Sequence, residues 1–196
     1  AIERNHQPWV LAVTGTNGKT TVTALTAHLL ERSGCDVAVA GNIGPTLLDT
    51  LTQRLQTQLP QVWVMELSSF QLNDVSGFEP TAATVLNLTQ DHLDWHLDMK
   101  AYGQAKARIY GQKALGVLPR QDTTVMALWP AGSGTKKDPT RACITYGPDL
   151  PTQPGDWGLS VEHGMTWLVR AMPSDEPPGK RGRAADEPLT LQRLMP

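Results

Sequence analysis

Cysteine is scarce in this 196-residue chain, with Cys35 and Cys143 the only two. Two cysteines make no disulfide framework, and with no Cys-x-x-Cys pair they argue neither for a stapled secreted fold nor for a zinc ribbon. Net charge is equally scant, since 17 Lys+Arg oppose 19 Asp+Glu. That balance gives no electrostatic reason to expect a nucleic-acid groove or a membrane surface as partner. No stretch approaches the roughly 18 apolar residues of a membrane span, and Ala1 to Pro8 lacks the apolar run of a signal peptide. The composition therefore predicts a cytoplasmic protein, and no internal repeat is evident. A chain this long can bury about 70% of its unfolded surface without a metal or disulfide staple.

Two asymmetries stand out. The chain begins at Ala1 without methionine and enters an apolar run at Trp9 almost at once, which reads as a segment of something longer. Residues 1 to 112 hold 4 of the 15 prolines and carry 7 basic against 10 acidic side chains, leaving 11 prolines and a balance of 10 to 9 for the remainder. The chemistry is expected in the first part, with residues 113 to 196 supplying further strands, a hairpin and loops.

Continuously apolar runs at 9–13, 37–40, 62–67 and 82–88 predict strands covered on both faces, and 114–118 a further one. Between them Val22, Leu25, Leu29 and Leu30 recur at helical spacing. Pro45 to Gln58 reads as a helix with proline in its first turn, and Met99 to Tyr110 as another. Strands alternating with helices predict an α/β domain built on a mostly parallel sheet. Residues 125–129 are expected as another strand, 131–139 as a loop, 157–170 as a hairpin turning at His163-Gly164, 173–188 as an exposed loop and 189–194 as a last strand.

Between the first strand and first helix lies TGTNGKTT, Thr14 to Thr21. Backbone N–H groups and the positive end of a helix converge there, so the position suits a bound phosphate. Gly15 and Gly18 allow close approach of the backbone, with Thr16 and Asn17 between them. Lys19 supplies charge for the terminal phosphates, and the Thr20 hydroxyl, beside Thr21, is placed to ligate Mg²⁺. Val13 stands where the usual pattern has glycine, and the competing reading is an Asn17-Gly18 hairpin turn. Glu66, ending an apolar strand, is a metal-ligand candidate or a solvated end. Residues 91–96, DHLDWH, admit three readings: zinc ligands, a polar loop, or a segment facing the phosphate site with His92 beside a metal or reacting carboxyl.

The set GTNGKTT, GNIG, ELSSFQL, NLTQDHLDWH and AYGQAKARIY, in that order over residues 9 to 111, resembles the Mur ligases of peptidoglycan synthesis and, more loosely, the folylpolyglutamate synthetases. GNIG and ELSSFQL resemble the branch that adds D-glutamate to UDP-N-acetylmuramoyl-L-alanine. The resemblance implies a central ATP-binding domain with the flanking uridine-nucleotide and C-terminal domains absent, two Mg²⁺ ions, and small-molecule partners for a monomer. It implies that Lys19 meets the β- and γ-phosphates, that Thr20 and Glu66 hold one Mg²⁺, and that His92 sits at the second. Asn42, Ser68, Ser69 and Gln71 would line the muramoyl substrate. Lys106 would be carbamylated by CO₂ into an anionic metal ligand, whereas sequence pattern alone makes it a surface lysine. The segment VLPRQD departs from the family, with Pro119 where an asparagine is usual. A phosphate-loop NTPase or kinase with another acceptor, or a nucleotide-binding module without chemistry, remains the alternative.

Overall fold

The computed structural model describes residues 6–91, 93–132, 140–174 and 189–195. In chain order the elements are β1 (Trp9–Thr14), α1 (Lys19–Arg32), β2 (Val37–Gly41), α2 (Leu47–Gln56), β3 (Val62–Glu66), α3 (Ser69–Asp74), β4 (Ala82–Val85), α4 (Leu93–His96) and α5 (Met99–Ala107). A 3-10 turn (Arg108–Tyr110) then leads to β5 (Leu115–Pro119), α6 (Thr123–Met126), β6 (Cys143–Tyr146), β7 (Trp157–Glu162), β8 (Met165–Pro173) and β9 (Leu189–Met195).

The strands form one sheet in the order β2-β3-β1-β4-β5-β6-β7-β8-β9. Pairing is parallel from β2 through to β7, and antiparallel for β7 with β8 and for β8 with β9. The α/β class and the antiparallel region in the second half are thus as expected. Because successive strand residues point to opposite faces, the central strands feed two cores. Leu11, Val37, Val62 and Val64 pack with Ala27 and Leu30 of α1. Ala12, Ala38, Trp63 and Met65 pack on the other face with Leu51 of α2, Tyr102 of α5 and Ile109 and Tyr110 of the turn. Strands buried on both faces cannot alternate in polarity, which is why these segments read as unbroken apolar runs.

Several boundaries differ from the sequence expectation for local reasons. Proline 45 precedes α2 instead of entering it, because Thr46 takes the N-cap and accepts from the Asp49 N–H at 3.2 Å. The strand expected at 125–129 is instead a helical turn. Asp122 caps it by accepting from the Val125 N–H at 3.0 Å, and Val125 and Trp129, four apart, face the same core. That spacing is helical, and a five-residue apolar run does not distinguish the two. Strand β6 was not anticipated at all. The hairpin does turn at His163-Gly164, both with positive φ (51° and 78°), as a two-residue reverse turn of this hand requires. The expected loops at 131–139 and 173–188 fall largely outside the described residues.

Past β5, Arg120 fastens the second half of the sheet. Its guanidinium donates to Thr145 Oγ1 at 2.8 Å, to Asp149 Oδ1 at 2.7 Å and to the Trp157 carbonyl at 3.3 Å, joining the ends of β5, β6 and β7. The bond from Arg120 holds the Asp149 carboxyl below its ordinary range. The VLPRQD departure thus places a structural arginine beside Pro119, whose backbone pairs with Tyr146.

Candidate functional site

The carboxyl ends of β1, β2, β3 and β4 meet where the strand order turns back on itself, the place at which open α/β sheets bind ligands. From β1 the chain passes through Gly15 to Gly18, and Gly18 takes the N-cap of α1 at φ 81°, a left-handed conformation that favours glycine. Gly18 brings no side-chain cap, and the first turn of α1 has no acidic residue. The start of this helix is therefore left for an anion from elsewhere.

The loop is tied to the segment after β4. Asn17 and Asn87 exchange two bonds, from Asn17 N–H to Asn87 Oδ1 at 2.9 Å and from Asn87 Nδ2 to the Asn17 carbonyl at 3.0 Å. Thr16 Oγ1 accepts from the Thr89 N–H at 3.0 Å and lies 3.3 Å from the Tyr102 hydroxyl. Lys19 folds back to donate to the carbonyls of Gly15 at 3.0 Å and Thr16 at 2.9 Å. Thr20 and Thr21 are exposed in the first turn. The segment is therefore a strand-to-helix turn and not a hairpin turn.

Lys106 is the residue that sequence pattern placed most poorly. It is only 2% exposed. Its ammonium donates to the same Gly15 carbonyl at 2.9 Å, reaches Thr14 Oγ1 at 3.4 Å, and stands 4.7 Å from the centre of the Tyr102 ring. Two lysine amines therefore share one carbonyl oxygen. Burial, and then the Lys19 charge, lower the Lys106 pKa to about 8, with Asp91 opposing.

Glu66 ends β3 at 3% exposure and accepts from Asn42 Nδ2 at 3.3 Å. Asn42 in turn donates its backbone N–H to the Glu66 carbonyl at 2.8 Å. This approach explains the first glycine of GNIG. Gly41 has φ 139°, and a Cβ there would stand 1.9 Å from the Glu66 carbonyl oxygen.

Lys19, Asn42, Ser68, Ser69, Asp91 and Lys106, with Phe70 and Tyr102 as aromatic walls, line a cavity of about 260 Å³. Ser68, the first of the two serines, is held by a capping box. Gln71 donates its backbone N–H to Ser68 Oγ at 3.3 Å, and its side-chain oxygen accepts from the Ser68 N–H at 2.9 Å. Gln71 is thus placed as a brace for α3, outside the cavity lining. Of the DHLDWH segment, Asp91 lines the cavity, Asp94 is exposed on α4, and His96 is buried behind the wall; His92 lies outside the described residues. The side chains of Phe70 and Tyr102 were not singled out from sequence as site residues.

The donor set suits a magnesium ion. Mg²⁺ takes one or two carboxylates and fills its remaining positions with phosphate oxygens and water, so a single buried carboxylate beside a phosphate loop fits it. Among the described residues no group of three or more His, Cys, Asp or Glu gathers as an all-protein cage would need. A wider apolar groove of about 750 Å³, walled by Pro119, Tyr146, Trp157 and Leu168, lies at the other end of the sheet. No lysine or arginine among the described residues lines it, so these residues bring no positive charge for a polyphosphate.

Residues 13–149 match the Mur ligase middle domain. The chain is 59% identical over 196 residues to UDP-N-acetylmuramoylalanine--D-glutamate ligase of Albidiferax ferrireducens, covering 98% of this chain and 38% of that protein. It is 55% identical to the protein of the same name from Polaromonas sp., covering 97% and 33%. The chain thus spans well under half the length of these curated relatives. Among solved structures, MurF ligase from Thermotoga maritima in complex with ADP superposes with a TM-score of 0.58 at 18% identity, over 97% of this chain and 41% of that one. E. coli FolC in complex with DHPP and ADP gives 0.55 at 18% identity, over 83% and 46%. These two show the shared fold. Together with the sequence relatives, they leave a single assignment: the chain belongs to the Mur ligase family, and its matched segment is the family's middle domain.

Proposed function

We propose that this chain is the ATP- and Mg²⁺-binding part of a ligase that joins D-glutamate to UDP-N-acetylmuramoyl-L-alanine, releasing ADP and phosphate. The observation that carries the reading is the convergence of Lys19 and the buried Lys106 on the Gly15 carbonyl, at 3.0 and 2.9 Å, beside a serine-lined cavity. The specific substrates are supported by the name shared by the relatives.

A carboxylate is a poor electrophile, so amide formation in water needs prior activation. The terminal carboxylate of the muramoyl substrate attacks the γ-phosphorus of ATP, ADP leaves, and an acyl-phosphate forms. The D-glutamate amine then attacks the acyl carbon, and phosphate leaves with the bridging oxygen. The protein's part is positioning and charge neutralisation. The N–H groups of the first turn of α1 and Lys19 hold the β- and γ-phosphates, while Asn42, Ser68 and Ser69 orient the muramoyl carboxylate. Thr20 and Glu66 would hold one Mg²⁺; His92 and a carbamylated Lys106 would hold the second. Bound there, the metals would neutralise charge on the transferring phosphoryl group.

Carbamylation follows the local electrostatics. CO₂ adds only to a neutral amine, and a pKa near 8 leaves an appreciable neutral fraction at physiological pH. The product is an anion, which converts repulsion from Lys19 into attraction. Since the chain spans only part of its relatives, the D-glutamate and uridine contacts are assigned to the remainder of such proteins, and the 196 residues alone are expected to ligate nothing. The test is an assay of the full-length protein carrying this segment. Formation of UDP-MurNAc-L-Ala-D-Glu with equimolar ADP and phosphate is expected, whereas ATP hydrolysis indifferent to both acceptor substrates would overturn the reading.

A further inference from the structure

His96 is titratable and 4% exposed, and the chemistry above gives it no part. Its Nε2 lies 2.9 Å from Ser69 Oγ, itself 2% exposed on the cavity wall. The imidazole stacks on Phe70 with centroids 5.7 Å apart and planes at 18°, meets the Trp95 ring edge-on at 4.4 Å, and tilts against Tyr102 at 5.1 Å. From behind the wall one ring therefore touches three groups that line the cavity: Ser69, Phe70 and Tyr102. Two of them belong to α3, and Tyr102 belongs to α5, which also carries Lys106.

We infer that His96 is a positioning residue for the muramoyl carboxylate. It fixes the Ser69 hydroxyl through a hydrogen bond and keeps α3 at a set distance from α5 through the aromatic stack. A phenylalanine ring would satisfy the stack equally well. The hydrogen bond is what an apolar residue cannot supply, because a serine hydroxyl rotates freely unless a partner fixes it. Losing that bond leaves a buried hydroxyl to find another partner, either in the substrate in the wrong geometry or in water. The effect falls on binding of the carboxylate substrate and not on ATP, whose phosphates are held by the loop on α1.

This inference rests on the proposed ligase reading, and the full-length protein tests both. His96→Phe keeps the ring stack and removes the bond. It is expected to raise KM for the muramoyl substrate about fivefold to tenfold, with kcat and KM for ATP within about twofold of wild type. In a Ser69→Ala background the same substitution should add nothing further, since the two act through one bond. His96→Gln, which retains a polar group toward Ser69, should keep KM closer to wild type. If the phenylalanine variant does not fold, a muramoyl KM for His96→Gln within about twofold of wild type is the expected result, and a rise of about fivefold or more would overturn the inference. An unchanged muramoyl KM in folded His96→Phe, a parallel rise in both KM values, additivity with Ser69→Ala, or a His96→Gln defect as large as that of His96→Phe would each overturn the inference while leaving the ligase reading intact. Absence of ligation by the wild-type protein would overturn both.

Discussion

Lys19→Ala in the full-length protein is expected to lower kcat/KM by about a thousandfold or more, the scale of removing a charged donor aimed at developing charge in a water-poor site. The geometry gives the reason. The Lys19 ammonium is bound to two loop carbonyls, Gly15 and Thr16, so the side chain is folded over the loop. A γ-phosphate entering at the start of α1 meets a preplaced cation instead of recruiting one. Lys19→Arg should not rescue, because a planar fork cannot occupy the space of a compact ammonium between two carbonyls. Steady-state kinetics with both ATP and the muramoyl substrate varied checks this, and near-normal turnover by Lys19→Ala would remove the phosphate-loop assignment.

Lys106→Ala should produce a defect of similar size by a different route, and its signature is chemical rescue. If the carbamate is the working form, a short-chain carboxylate added to the alanine variant should restore part of the activity by occupying the vacated space. Exclusion of CO₂ and bicarbonate should slow the wild type. The same residue gives a stability prediction for metal-free protein in CO₂-free buffer. The folded-state pKa, near 8, lies below the ordinary lysine value of 10.5. Between those values the unfolded chain binds more protons than the native one, so stability should rise with pH over that window. Below about pH 8 the buried ammonium costs stability in full. Thermal melts from pH 7 to 10 on wild type and Lys106→Met check this, and the rise attributable to this residue should vanish in the variant. An identical pH slope in the two would show that Lys106 titrates normally.

Much of the frame was legible from the residues. Strands buried on both faces announce themselves as unbroken apolar runs, and TGTNGKTT between such a run and a helical stripe marks the strand-to-helix turn found there. Short elements were not legible. Four residues of β6 and four of α6 carry too little periodicity to separate strand from helix, and the Asp122 cap decided one of them. The polar core of the site was hidden for another reason. Lys106 follows Ala105 on the face that packs inward, and nothing local distinguishes it from a solvated lysine. Its burial depends on the Gly15 carbonyl, 91 residues away in the chain. Gln71 illustrates the converse. A polar residue in a substrate motif is spent on a capping box, because Ser-x-x-Gln is also a helix-start signature. The side chain that faces α5 from behind is the last histidine of DHLDWH, buried among rings, a placement that none of the three readings of that segment described.

The central claim is that this fold activates a carboxylate by phosphorylation. The most direct measurement follows an oxygen atom. The muramoyl substrate, labelled with ¹⁸O in both oxygens of its terminal carboxylate, is turned over by the full-length protein with ATP, Mg²⁺ and D-glutamate, and the released phosphate is analysed by mass spectrometry. Transfer of one ¹⁸O into each phosphate is expected, since the bridging oxygen of the acyl-phosphate leaves with phosphorus. Phosphate carrying only unlabelled oxygen, with product formed at the normal rate, would contradict the account.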